Sequence, residues 1–138
     1  MTATSPEQHV KDLLQTYRDA LNSSDLDLAL SLYSADGVFM APHSSPAVGK
    51  AAVKQAYEGL FGEVDHIVEL SVEEVVVVGG GEWAFARSMT RGQTRVRASG
   101  ELHKDAVWQL WVLKREGEGD GKGEGAWRIA RYSFSPVE

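Results

Sequence analysis

Cysteine is absent from the 138 residues, which excludes disulfides, thiol nucleophiles and zinc–thiolate sites. Basic residues are in deficit, 14 Lys and Arg against 20 Asp and Glu. The resulting net charge of -6 argues against nucleic acid or an anionic membrane as a partner. No apolar run approaches the roughly 18 residues needed to span a bilayer. The opening "MTATSPEQHVKDLLQ" lacks the basic-then-apolar layout of a secretory signal, so a soluble, cytoplasmic protein is expected. The histidines His9, His43, His66 and His103 are dispersed, and without ligand spacing they give no metal site. The glycine-rich "GEGDGKGEG" precedes a strand and lacks the Gly-Lys-Ser/Thr ending of a phosphate loop. It reads as a flexible hairpin tip over 116–125. No cofactor is expected.

What remains is an ordinary globular composition, 43% hydrophobic and 25% charged, in one domain over 1–138 with residues 1–4 frayed. "SPEQ" starts a helix, with Ser5 as N-cap, Pro6 at the first helical position and Gln8 completing a capping box. Val10, Leu13, Leu14, Tyr17 and Leu21 follow as one apolar stripe. Ser24 caps a second helix whose stripe is Leu26, Ala29, Leu30 and Tyr33. "VFMA" is a short strand ended by Pro42, and a third helix begins near Gly49 with Val53, Ala56, Tyr57, Leu60 and Phe61 on one face.

Beyond that helix four long strands follow. In the first, Val68, Leu70 and Val72 alternate with polar residues before a continuous run, Val75 to Val78. That change predicts a bulge at Glu73–Glu74, and burial on both faces after it. Helices early and antiparallel strands late give an α+β fold, three N-terminal helices packed on one strongly bent sheet with a natural cavity on its concave face.

This order of elements, with "YRDALNSSDLDLALSLYSADGVF" and the closing "WRIARYSFS", resembles the cone-shaped NTF2-like (cystatin-like) superfamily. More closely it resembles the SnoaL-like group that includes SgcJ/EcaC-type proteins. The resemblance spans roughly Glu7 to Ser135. It implies a fold shared by ketosteroid isomerases, polyketide cyclases, dehydratases and kinase association domains, so function must come from the site.

Tyr17 falls where the isomerases carry their oxyanion tyrosine; it either donates to a ligand carbonyl or bonds a neighbouring element. Gln109, in "DAVWQLWVLKR", falls where their second oxyanion donor stands, a position normally held by a protonated acid. An amide there donates but is no general acid, and it either serves a ligand or is satisfied across the sheet or a dimer interface. The isomerases' general-base carboxylate corresponds to Ala41, a departure that argues against carrying their reaction over. His43, in the Pro-bracketed loop, replaces the base only if that loop folds inward; otherwise it is a solvent-exposed loop histidine.

Arg87 shares a face with Phe85 and Met89, and either pairs with a glutamate of the next strand or binds an acidic ligand. Met40, Phe85, Arg87, Met89, Trp111 and Tyr132 are the expected pocket lining. Asp105 and Lys104 either reach a pocket mouth or end a solvated strand. Trp108, Leu110 and Val112 share the opposite face from Val107, Gln109, Trp111 and Leu113. With no helix left to cover it, that face implies a symmetric homodimer through the convex sheet surface.

Three functions remain open at this point. The chain binds or converts a small apolar carbonyl-bearing molecule by cofactor-free isomerase, cyclase or dehydratase chemistry; it is a non-catalytic association module with a vestigial pocket; or it is a binding protein without turnover.

Overall fold

The computed structural model describes residues 5–116 and 126–137, so the expected fray at 1–4 and the hairpin tip, Glu116 apart, lie outside the described residues. Helix α1 runs Pro6–Ser23. Ser5 accepts the Gln8 backbone N–H at 3.1 Å. The box is not reciprocal, because the Gln8 side-chain amide donates instead to Asp12 Oδ1 at 2.9 Å, one turn on. Ser24 corrects the sequence reading: it closes α1 with a left-handed φ of 51°, and Asp25 caps α2 (Leu26–Ser31) by accepting the Leu28 N–H. An aspartate is at least as good a cap as serine, and the chain still needs one reversing residue between the helices.

Tyr33 is a second correction. It opens strand β1 (Tyr33–Met40) rather than ending a helix. A helix of six residues has little stability of its own, whereas Tyr33 gains a partner in Ile129 and a fully buried ring. The Pro-bracketed loop is followed by a short strand, β2 (Ala47–Val48), which pairs back on β1. Helix α3 (Lys50–Glu63) follows, burying Val53, Tyr57 and Phe61.

Strands β3 (Val64–Val78), β4 (Trp83–Val96), β5 (Leu102–Glu116) and β6 (Ala126–Pro136) complete a six-stranded sheet in the order β2-β1-β6-β5-β4-β3. Every pairing is antiparallel except β1 with β6, which is parallel. The register slips between Val72 and Glu74, leaving Glu73 as the extra residue where the bulge was expected. Val75 to Val77 are only half-buried and Val78 is exposed, contrary to the expectation of burial on both faces, because β3 is an edge strand. Two polar residues of α1 occupy part of that edge. Asn22 exchanges two hydrogen bonds with Val68, 3.0 and 2.9 Å, and Gln15 donates to Leu70 O at 3.0 Å, which blocks addition of another strand there.

The fold is α+β: helices on one face of an open, mostly antiparallel sheet. Gly92 allows β3 and β4 to approach at the bend. Its φ is 154°, and a Cβ there would sit 2.2 Å from the Ile67 carbonyl oxygen.

Candidate functional site

On β4 the inward positions are Ala84, Ala86, Ser88, Thr90, Gly92 and Thr94, all small. Opposite them on β5 stand Asp105, Val107, Gln109, Trp111 and Leu113. At one end Trp111 and Leu113, with no exposed surface, fill the space under α1. Trp111 stacks on Tyr132 at 3.8 Å between centroids and meets Tyr17 edge-on at 4.9 Å. Towards the other end no aromatic ring stands opposite Thr90 or Gly92 on β5, where their partners are Val107 and Asp105. A cavity of about 260 Å³ remains there, lined by Tyr17, Leu21, Phe39, Leu60, Val64, His66, Val68, Thr90, Thr94, Asp105, Val107, Gln109, Tyr132 and Phe134.

The floor of the cavity is polar and fixed. Trp111 Nε1 donates to Ser88 Oγ at 2.9 Å, so the Ser88 hydroxyl hydrogen is available for Gln109 Oε1, 2.6 Å away. Thr90 donates to the same oxygen at 2.8 Å. With its oxygen thus identified, the Gln109 amide turns its Nε2 to the Tyr132 hydroxyl oxygen at 2.7 Å. One Nε2 hydrogen has no fixed acceptor in this chain of bonds, while the Tyr132 hydroxyl interacts with that of Tyr17.

A second chain joins Tyr17, Tyr57 and Tyr33 through their hydroxyls at 2.6 and 2.7 Å. Three hydroxyl hydrogens serve two bonds, so one is left over. Of the three rings only Tyr17 reaches the cavity. Burial, above all, raises the pKa of Tyr17, Tyr33, Tyr57 and Tyr132 well beyond the ordinary phenol value, so every one of these hydroxyls keeps its proton to donate.

The residues expected from the sequence divide into three groups. Tyr17, Gln109 and Tyr132 meet at the cavity floor. Trp111 stands behind them as packing, and Met40 ends β1 half-buried outside the lining. Phe85, Arg87 and Met89 do share a face, but it is the outer one, with Phe85 and Arg87 exposed. The physical reason is size: Ala84, Ala86 and Ser88 are what the helices and the Trp111 ring admit on the inner side. Arg87 donates to Glu74 Oε1 at 2.6 Å, the pairing with a neighbouring-strand glutamate that the sequence left open.

His43 lies exposed in its loop with a φ of 59° and does not line the cavity. Ala41 and the serines beside His43 line a separate, shallower recess of about 400 Å³ instead. Sequence reasoning passed over Thr90, Tyr57 and His66. The alternation of Ser88, Thr90 and Thr94 along β4 was the only trace of the first, and the sequence did not say that this parity faces inward; nothing in β3 alone marked His66. Among the described residues no three His, Asp or Glu side chains converge as metal ligands do.

Helices over one face of a curved sheet, enclosing a cavity with a donor-lined floor, define a protein of the NTF2-like, cystatin-like class. Residues 14–132 match the SnoaL-like domain, and the chain belongs to that family. Among solved structures it is similar to a ketosteroid isomerase-like protein from Erwinia carotovora atroseptica, at 28% identity and TM-score 0.88 over 99% of both chains. An NTF2-like superfamily protein from Salmonella enterica serovar Typhimurium aligns at 16% identity and TM-score 0.79, covering 96% of this chain and 92% of that one. A candidate dehydratase of the NTF2-like family from Streptomyces avermitilis aligns at 18% identity and TM-score 0.73 over 95% of each. No curated protein matches the chain.

Proposed function

We propose that this protein binds a small, mostly apolar molecule through a carbonyl or comparable acceptor oxygen held by Tyr17, Tyr132 and Gln109. The observation that carries the reading is the hydrogen count at the cavity floor. Gln109 Nε2, its amide oxygen fixed by Ser88 and Thr90, keeps one hydrogen without a fixed acceptor, and the Tyr17–Tyr57–Tyr33 chain carries one more hydrogen than it has bonds. Donors held rigidly in an apolar cavity stabilise negative charge developing on an oxygen, and they pay no reorganisation cost when the ligand arrives. The relatives that support this reading are the ketosteroid isomerase-like protein and the candidate dehydratase. The chemistry this floor supplies is polarisation of a carbonyl; with Ala41 at the isomerases' general-base position and His43 outside the cavity lining, binding is the reading it carries.

Titration with a fluorescent naphthol, whose anion is readily distinguished from its neutral form, tests the floor. Binding to the native protein should favour the naphtholate. Gln109→Leu and Tyr17→Phe should each weaken binding about tenfold, the effect of losing one hydrogen bond to a charged acceptor. No binding, or equal binding by both folded variants, would remove this reading.

The outer face supports a second part of the proposal, a sheet-to-sheet homodimer. Leu110 and Trp108 follow one another along the outer face of β5, with Phe85 diagonal to Leu110 on β4, and the three are 50%, 47% and 37% exposed, an apolar concentration that costs free energy in water. Sedimentation analysis should give a dimer for the native chain and a monomer for Trp108→Lys/Leu110→Glu. A native monomer ends this part without touching the first.

A further inference from the structure

Strand β3 is an edge of the sheet, and its two halves are finished differently. Over the first half α1 plugs the open backbone. Asn22 donates to the Val68 C=O and accepts its N–H, and Gln15 donates to the Leu70 C=O. Natural edges are blunted by such plugs, by lysine or by proline. The second half, residues 74–78, has the sequence Glu-Val-Val-Val-Val and carries neither lysine nor proline. Among the described residues Gln15 and Asn22 are the side chains that bond the β3 backbone, and neither reaches that half.

The plugged half tells which backbone groups of the open half face outward. Along an antiparallel strand the N–H and C=O groups of successive residues point alternately to the two sides. Val68 and Leu70 point to the edge, so Val72 does as well. Glu73 is the extra residue of the bulge and moves the alternation by one. Val75 and Val77 therefore turn their N–H and C=O groups to the open edge, whereas Glu74 and Val76 turn theirs to β4. Their side chains follow the opposite rule: Glu74 and Val76 stand on the outer face, beside Arg87 and Phe85.

We propose that this half-edge pairs with the same half-edge of a second copy of the chain, antiparallel about a two-fold axis at Val76. Val75 then exchanges a pair of hydrogen bonds with the partner's Val77, Val77 does so with the partner's Val75, and Val76 meets the partner's Val76. The occupant is a second copy because the segment is complementary to itself. The rungs on and beside the axis set valine on valine, and Glu74 comes opposite the partner's Val78. Parallel pairing in register would instead set Glu74 against its own copy, and like charges directly opposite are destabilising. The contact is isologous and closes on two copies. It lies at the edge of the sheet, apart from Trp108 and Leu110 on the outer face of β5. So short a strand makes a weak contact, populated at high protein concentration.

Sedimentation equilibrium in the Trp108→Lys/Leu110→Glu background reads the edge apart from the outer face. The average mass should climb from one copy towards two between about ten micromolar and about one millimolar. Val77→Pro removes an edge-facing N–H and leaves the β4 pairing whole, the one setting in which a strand tolerates proline. It should hold the mass at one copy, with a urea midpoint close to that of its parent. Val76→Lys and Val76→Glu should each stay single, and should associate when mixed in equal amounts, because position 76 faces itself across the axis. A mass that does not rise with concentration overturns the edge contact. So does association that survives Val77→Pro, or a mixture of the two charged variants no more associated than its components. Where Val77→Pro does not melt cooperatively, the charged pair decides.

Discussion

The two faces of β4 and β5 are built from alternate residues of the same strands, yet they behave as two different materials. Inward, Ser88, Thr90, Gln109 and Trp111 are buried and bonded to one another. Outward, Phe85, Arg87, Trp108 and Leu110 meet solvent, and Arg87 pairs with Glu74 on the next strand. Tryptophan and apolar bulk occur on both sides, so hydrophobicity does not distinguish core from surface here. The inner face is marked by small residues on β4 set against large ones on β5, and by polar side chains that satisfy each other.

The sharpest way to test that contrast is to remove one tryptophan from each face. Trp111 is fully buried, stacked on Tyr132 and bonded to Ser88. Trp111→Ala should cost about 3–5 kcal/mol of stability, the usual range for a large core aromatic, read from the urea midpoint. Trp108→Ala, removing a ring that is 47% exposed, should leave that midpoint nearly unchanged when measured in a Leu110→Glu background. Comparable losses at the two positions would mean that the faces do not differ as described.

A smaller effect separates polar satisfaction from packing on the inner face itself. Gln109→Leu conserves volume but strips the acceptor from Ser88 and Thr90 and the donor from Tyr132. Leaving those hydroxyls buried and unpaired should cost about 1–3 kcal/mol. Following it with Ser88→Ala and Thr90→Val should restore part of the loss, because an apolar group needs no partner. A triple variant no more stable than the single one would show that the network does not act as a unit.

The sequence displayed the alternation on β5 completely: Gln109 with Trp111 and Leu113, Trp108 with Leu110 and Val112. It carried the fold as well, through the stripe of α1, the bulge before Val75 and the length of the last strands. It was silent on which parity of β4 faces inward, because Phe85-Arg87-Met89 and Ala84-Ala86-Ser88 are both credible faces until the helices are placed over one of them. Side-chain volume decides that, and volume is a property of the assembled layers. The tyrosine chain was hidden for a related reason. Tyr17, Tyr33 and Tyr57 lie on three different elements, and their convergence depends on β1 beginning at Tyr33. His66 is the extreme case, since its neighbours Thr94 and Asp105 belong to strands that only the register brings alongside.

The smallest effect concerns that histidine and sharpens the contrast between the floor of the cavity and its β3 wall. Burial lowers the His66 pKa from its ordinary value, with the charges of Asp105 and Asp65 opposing the shift. The unfolded chain therefore takes up a proton at this residue before the folded one does. Stability from the neutral ring is fully present above the ordinary value of about 6.5, and is lost as the pH falls from there through the lower folded-state value. The phenols of the floor, whose pKa values lie on the other side of neutrality, contribute nothing in this range. Asp36 and Asp65, held below the usual carboxylate range chiefly by hydrogen bonds from Lys114 and from Arg95, lose their contributions only at lower pH. Thermal melts of native protein between about pH 7.5 and 5.5, spanning histidine titration, should show a falling midpoint. His66→Phe should flatten that slope, since His9, His43 and His103 are common to both proteins and cancel in the difference. A native slope equal to the variant's would mean that His66 titrates as freely folded as unfolded, and that the β3 wall of the cavity is as wet as the floor is dry.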